Sequence, residues 1–149
     1  MIYAENRKAL HDYEVLETFE AGLVLAGYEV KSVRNGQVSL KGTHVNFYRD
    51  EPYVINMHIS KYKPAGSLPD YDPEKRRKLL LRKRQLSYLF GKTMEKGLRI
   101  VPLKVYNSGR LIKIEIAVVR GRKQYDKREM LKNRDIQKEI KRTLKYTNN

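Results

Sequence analysis

The chain has 149 residues, no cysteine or tryptophan, and a formal net charge of +15 with a pI near 10.0. That length fits one domain plus a tail and suffices to bury a core. The missing cysteines exclude disulfides, thiol catalysis and cysteine-ligated zinc, and charge of this size leaves nucleic acid, an anionic membrane surface or an acidic protein as partners.

Aromatic usage chooses among these partners. Eleven tyrosines stand against three phenylalanines, and tyrosine offers a flat stacking face with a polar tip, as nucleobases require. A nucleic acid is favoured, RNA or single strands above duplex DNA. The first residues lack the apolar run of a signal segment, and no stretch approaches the ~18 apolar residues of a membrane span. A cytoplasmic protein without a membrane partner is expected.

In chain order, the first dozen residues are polar and mixed. Asn6, Arg7, Lys8 and His11 either touch phosphates or belong to a solvated arm. From Tyr13 to Leu25 the run is rich in strand formers, with Gly22 as a bulge or bend, and reads as one long bent strand. The stretch GYEVKSVRNG then predicts a short helix: Val30 and Val33 share a face, and Asn35-Gly36 ends it. Strands at His44–Arg49 and Tyr53–Met57 form a hairpin turned by Asp50, Glu51 and Pro52. Ser60 to Pro73 carries three prolines and no period, and so reads as a long loop of the kind often found to be functional or disordered.

Charge density peaks next. Leu79, Leu86 and Leu89 or Phe90 fit one face of a basic amphipathic helix expected from about Arg82 to Lys92, while Leu79 to Leu81 fit either its start or an extended segment. Ile112, Ile114, Ile116 and Val118 alternate with Lys113, Glu115 and Ala117, which marks a strand with one buried face. Leu98–Tyr106 is its partner across the turn Asn107-Ser108-Gly109-Arg110. About five antiparallel strands with two or three accessory helices give a mainly β fold, a small closed barrel of the oligonucleotide-binding (OB) type. The expected division is a barrel domain over 1–119 and a basic tail over 120–149.

The tail is the most charged part. Between Arg120 and Tyr146, eleven Lys/Arg face four acids, a net of +7. Asp126 and Glu129 form a capping box, and Tyr125 can staple onto Met130, so a helix is expected from Lys127. Ile136, Ile140 and Leu144 give only a thin apolar stripe. An isolated helix of this kind is marginal in water, which predicts one that forms on a partner.

Candidate chemistry is sparse. Asp70 and Asp72 are the only pair resembling a nuclease metal site, and their flanking prolines read more simply as loop and cap chemistry. His11, His44 and His58 lack metal-ligand spacing. No cofactor, metal site or catalytic residue is expected. Glu20, an acid within an apolar strand, either faces solvent, accepts from guanine edges or holds a neighbouring lysine. Lys113 and Arg110 are solvated or touch phosphate, and Tyr125 is a staple or a stacking platform.

The runs NRKALHDYEVLETFEAGLVLAGYEVKSVRNG, RKLLL followed by KRQL, and RGRKQYDKRE resemble the small protein B (SmpB) family, the bacterial partner of transfer-messenger RNA (tmRNA), across essentially the whole chain. The resemblance implies an OB barrel that binds the tRNA-like domain of tmRNA and, with it, mimics tRNA in the A site of a stalled ribosome. It implies tmRNA-binding roles for Asn6, Glu20, Leu80 and Lys113, with Lys8 and His11 beside Asn6. It further implies that the tail, disordered when free, enters the empty mRNA channel as a helix. Arg122, Lys123, Asp126, Lys127, Arg128, Lys132, Arg134, Ile136, Lys138 and Lys141 would there meet small-subunit rRNA, while Tyr125 would stack on a decoding-centre base where the family more commonly has histidine. A helix from Lys127 to Lys145 would reach about 28 Å at ~1.5 Å per residue. The protein would act as a monomer and an adaptor, not an enzyme. The alternatives are a basic protein bound permanently to rRNA and, more remotely, a metal-dependent nuclease using Asp70 and Asp72.

Overall fold

The computed structural model describes residues 1–121. The elements run β1 (Ile2–Glu5), α1 (Arg7–Asp12), β2 (Tyr13–Leu23), α2 (Gly27–Arg34), β3 (Val38–Ser39), β4 (His44–Tyr48), β5 (Glu51–Ile55), β6 (His58–Ile59), a single 3-10 turn (Lys63–Ala65), β7 (Arg77–Leu80), α3 (Lys83–Thr93), β8 (Leu98–Ser108) and β9 (Leu111–Gly121). Seven strands form one antiparallel sheet in the order β1-β8-β9-β2-β7-β5-β4, and β3 pairs with β6 in a separate ribbon. β4 curls back onto β8, which gives the expected OB-like barrel.

The alternation in the last hairpin dictates which face is inside. Ile112, Ile114, Ile116 and Val118 enter the main core with Ala21, Val54, Leu79, Ile100 and Val105, while Val33 of α2 and Leu89 of α3 plug into it. The α2 stop is a Schellman motif: Gly36 N–H donates to Val33 O and Gln37 N–H to Ser32 O, both at 2.9 Å, with Gly36 at φ +76°. Asn35-Gly36 therefore acts as expected.

Four expectations are corrected. The first dozen residues are not an arm: Ile2–Glu5 pair with β8, and Asn6 caps α1. The β4–β5 turn is Arg49-Asp50, both at positive φ (51° and 65°), and Pro52 lies in the strand opposite Phe47. A two-residue turn makes that pair non-hydrogen-bonded, so the missing proline N–H costs β4 nothing. Gly22 is not the bulge of β2, which falls between Val15 and Glu17. Gly22 is instead where β2 pairs with both β9 and β7, and a Cβ there would stand 3.2 Å from Leu80 Cβ. Leu79 and Leu80, which by sequence fit either a helix start or an extended segment, are strand. Arg120 and Gly121 belong to β9, two residues past the expected boundary at 119.

A buried ion pair ties the strands to α2. Arg77 (2% exposed) meets Glu29 (1%) through Nε at 2.8 Å and Nη2 at 2.6 Å. It also donates to Met57 O and, at 3.1 Å, to the Tyr71 hydroxyl. Tyr71 passes its own proton to Ile59 O at 2.7 Å. Burial first, then the Glu29 charge, pushes this phenol up to about 12. Glu29 also reaches back to Ala26 N–H at 3.0 Å, half of a capping box.

Candidate nucleic-acid interface

Strand register gathers the site. On β2, β9 and β8, Gly22 lies opposite Lys113 and Lys113 opposite Tyr106, and Leu80 of β7 stands on the other side of Gly22. Residues directly opposite share a face, so Leu80, Gly22, Lys113 and Tyr106 form one row on the outside of the barrel. The next row on that face runs Glu20, Glu115, Lys104 and Glu5. Three residues separated widely in sequence, Glu20, Leu80 and Lys113, thus meet on one outer patch.

Contacts between the rows fix their side chains. The Tyr106 hydroxyl donates to Glu20, and Lys104 Nζ sits 5.4 Å over the Tyr106 ring. Burial and the bond to Glu20 raise the Tyr106 phenol far above its ordinary range, so the ring remains a donor at any physiological pH. Leu80 is 55% exposed, an apolar side chain kept outside a folded barrel and free to pack on a sugar or base. Among the described residues Lys113 makes no ion pair, and it presents its charge beside Leu80.

The same outer face continues to α1. Ala9 packs there on Val101, Leu103, Ala117 and Val119, a second small core. Asn6 is spent on architecture: Oδ1 accepts from Ala9 N–H at 3.1 Å, and Nδ2 donates to Pro102 O at 3.0 Å. It positions the helix, whose exposed side chains are Arg7, Lys8, Leu10 and His11. His11 lies 3.1 Å from Asp12. Beside Lys8 is a cleft of about 260 Å³ lined also by Tyr13, His44 and Arg99. Arg99 donates to the Tyr13 hydroxyl at 3.2 Å. Burial first, then the Arg99 charge, lowers the His44 pKa and favours its neutral form.

Comparison with known proteins decides the family. The family model described as "SmpB protein" matches residues 3–146. The chain belongs to the SmpB family. The SsrA-binding protein of Carboxydothermus hydrogenoformans is 49% identical over 144 residues, covering 97% of this chain and 96% of that protein. That of Chloroflexus aggregans is 46% identical over 144 residues, covering 97% and 91%. A solved structure described as "tmRNA-SmpB: a journey to the center of the bacterial ribosome" contains a chain with 47% identity and a TM-score of 0.66, over 78% of this chain and 82% of that one.

Within this SmpB barrel the sequence reading missed Tyr106, Lys104 and Glu115. The signal was available: once the turn is placed at Gly109-Arg110, the hairpin register puts Tyr106 opposite Lys113. The expected tail contacts, Arg122, Lys123, Tyr125, Asp126, Lys127, Arg128, Lys132, Arg134, Ile136, Lys138 and Lys141, lie outside the described residues. Asp70 and Asp72 do not form a metal site with a third ligand; Asp72 Oδ1 accepts from Glu74 N–H at 2.9 Å, and among the described residues no group of three potential ligands assembles.

Proposed function

We propose that the protein is a non-enzymatic adaptor that binds the tRNA-like domain of tmRNA and delivers it to the A site of stalled ribosomes for trans-translation. The outer patch of Glu20, Leu80, Lys113 and Tyr106 carries this reading. It combines a fixed acceptor, an exposed apolar contact, a cation and an aromatic ring, the elements that recognise an irregular single-stranded or loop region of RNA. Lys8, His11 and Arg99 extend it with phosphate contacts along α1, and family membership supplies the identity of the RNA. The 120–149 segment serves as the ribosomal arm, with its +7 charge directed to rRNA and Tyr125 at the decoding centre. This work belongs to the bacterial cytoplasm.

Three measurements test the proposal. The full chain should retain tmRNA at moderate salt after bulk tRNA and rRNA have been released; losing all three together would favour a generic rRNA-binding protein. Removing the residues after Arg122 should spare tmRNA binding and abolish tagging on stalled ribosomes. Equal loss of both would contradict the division of labour. RNA turnover in Mg²⁺ that Asp72→Ala abolishes would replace the adaptor with a nuclease.

A further inference from the structure

The long loop after β6 has no part in the outer patch, yet it builds a basic cleft on the barrel surface. Ser32 and Asn35 at the end of α2, Gln37, and Lys61, Tyr62 and Lys63 line a space of about 500 Å³, and no acid borders it. Lys31 Nζ lies 5.6 Å over the Tyr62 ring, bringing a third ammonium to the rim. None of these three lysines forms an ion pair among the described residues. Three uncompensated cations around one concavity focus a positive potential there. The helix end does not explain them, because the Schellman motif already satisfies the last carbonyls of α2.

A second observation points to a polar ligand. Ser32 is 1% exposed and lines this cleft, and among the described residues its hydroxyl has no hydrogen-bond partner. A buried hydroxyl left unpaired costs free energy, and its neighbours on the cleft wall, Asn35 and Gln37, also carry amide donors. The wall that holds them is fixed, since Ser60 N–H donates to Gln37 O at 3.0 Å and Gln37 N–H to Ser32 O.

We infer that the cleft between the end of α2 and Lys61-Tyr62-Lys63 binds the phosphate backbone of RNA, at a site separate from the outer patch. Lys31, Lys61 and Lys63 neutralise phosphates, Asn35 and Gln37 donate to their oxygens, and Tyr62 forms an aromatic side wall. The inference rests on the RNA-binding reading above. Two RNAs offer this chemistry, the tRNA-like domain already held at the outer patch and the rRNA against which the complex is placed.

The test uses the full chain carrying Lys31→Ala, Lys61→Ala and Lys63→Ala together. Binding is measured to the isolated tRNA-like domain in one arm and to ribosomes in the other, across a salt series. Wild-type protein that fails to bind the tRNA-like domain would refute the adaptor reading itself and is scored separately. The triple variant should keep its melting temperature and lose about tenfold in affinity in at least one arm, with the salt slope shallower by about 2. Loss in the first arm assigns the site to the tRNA-like domain; loss in the second alone assigns it to rRNA. Unchanged affinity in both overturns the inference. Photo-crosslinking of thiouridine-substituted RNA to wild-type protein decides independently of the variant's folding: adducts should fall on the peptide containing Tyr62, and adducts confined to the outer patch would also overturn it.

Discussion

Replacing Arg77 by methionine is the most informative perturbation of the fold. The guanidinium gives two hydrogen bonds to Glu29, one to Met57 O and one to Tyr71. Arg77→Met keeps the apolar stem but leaves a carboxylate that is 1% exposed with Ala26 N–H at 3.0 Å, the Tyr71 hydroxyl at 3.4 Å and Lys75 Nζ at 3.7 Å. Lys75 stands on the surface side and compensates only in part. Breaking a buried pair from one end costs about 3–5 kcal/mol, a large share of the ~5–15 kcal/mol that holds a typical domain. For a barrel of this size that corresponds to a fall in Tm of roughly 12–20 °C.

The assay is urea and thermal unfolding of the variant and of the double variant Glu29→Met/Arg77→Met. The double replacement removes the stranded charge and should be more stable than Arg77→Met alone, because well-packed apolar residues often match a buried ion pair. The cycle should then show a coupling of at least ~2 kcal/mol. An Arg77→Met cost below about 1 kcal/mol, or strictly additive effects, would falsify the claim that the pair organises α2 against β7.

Asn6→Ala removes the α1 cap and leaves Ala9 N–H and Pro102 O without their partner, so unfolding should show a loss of about 1–2 kcal/mol, with weaker tmRNA binding following from a displaced Lys8. Gly22→Val drives a branched side chain into Leu80, already 3.2 Å from an added Cβ; a cost of about 1–3 kcal/mol is expected in denaturant titrations, and none would mean that β7 is not held there. Tyr71 has a folded-state pKa of about 12 against an ordinary 10, so its contribution is complete below pH 10 and disappears as pH rises through 12. Wild-type stability should therefore fall more steeply across that window than that of Tyr71→Phe, followed by far-UV circular dichroism. Lys113→Ala should make the salt dependence of tmRNA binding shallower by about 0.7–0.9, one phosphate's share; an unchanged slope would place Lys113 off the RNA backbone.

The legible parts of the fold were those with period or punctuation. Ile112 to Val118 alternate strictly and Asn35-Gly36 announces a left-handed stop, and both behave accordingly, whereas the expected turn Asn107 to Arg110 tightens to Gly109-Arg110, with Asn107 and Ser108 paired in β8. The Arg49-Asp50 turn carries no glycine, so Pro52 attracted the prediction instead. β1, β3 and β6 are four residues or fewer, too short for a period to register, and they exist because β8 and one another offer backbone partners. Arg77 was hidden in EKRRK, where nothing local distinguishes the one arginine that turns inward from the solvated ones. Only the pleat of β7 makes that choice.

The same pleat links stability to the site. β7 directs Arg77 and Leu79 inward and Lys78 and Leu80 outward, and a one-residue slip would reverse all four. Such a slip would pull Arg77 from Glu29 and bury Leu80's place in the outer row at once. The buried ion pair therefore acts as a register lock for the proposed RNA contact at Leu80, three residues away. Gly22 supports that register from the other side, where an added Cβ would stand 3.2 Å from Leu80 Cβ. Glu20 is held in parallel by Tyr106, whose own position follows from the two-residue turn at Gly109-Arg110. Each outer-patch residue is thus placed by a constraint that does not itself touch RNA. Variants at Arg77 should consequently lose RNA affinity in proportion to lost β7 order, whereas Lys113→Ala should lose affinity with the barrel's melting unchanged.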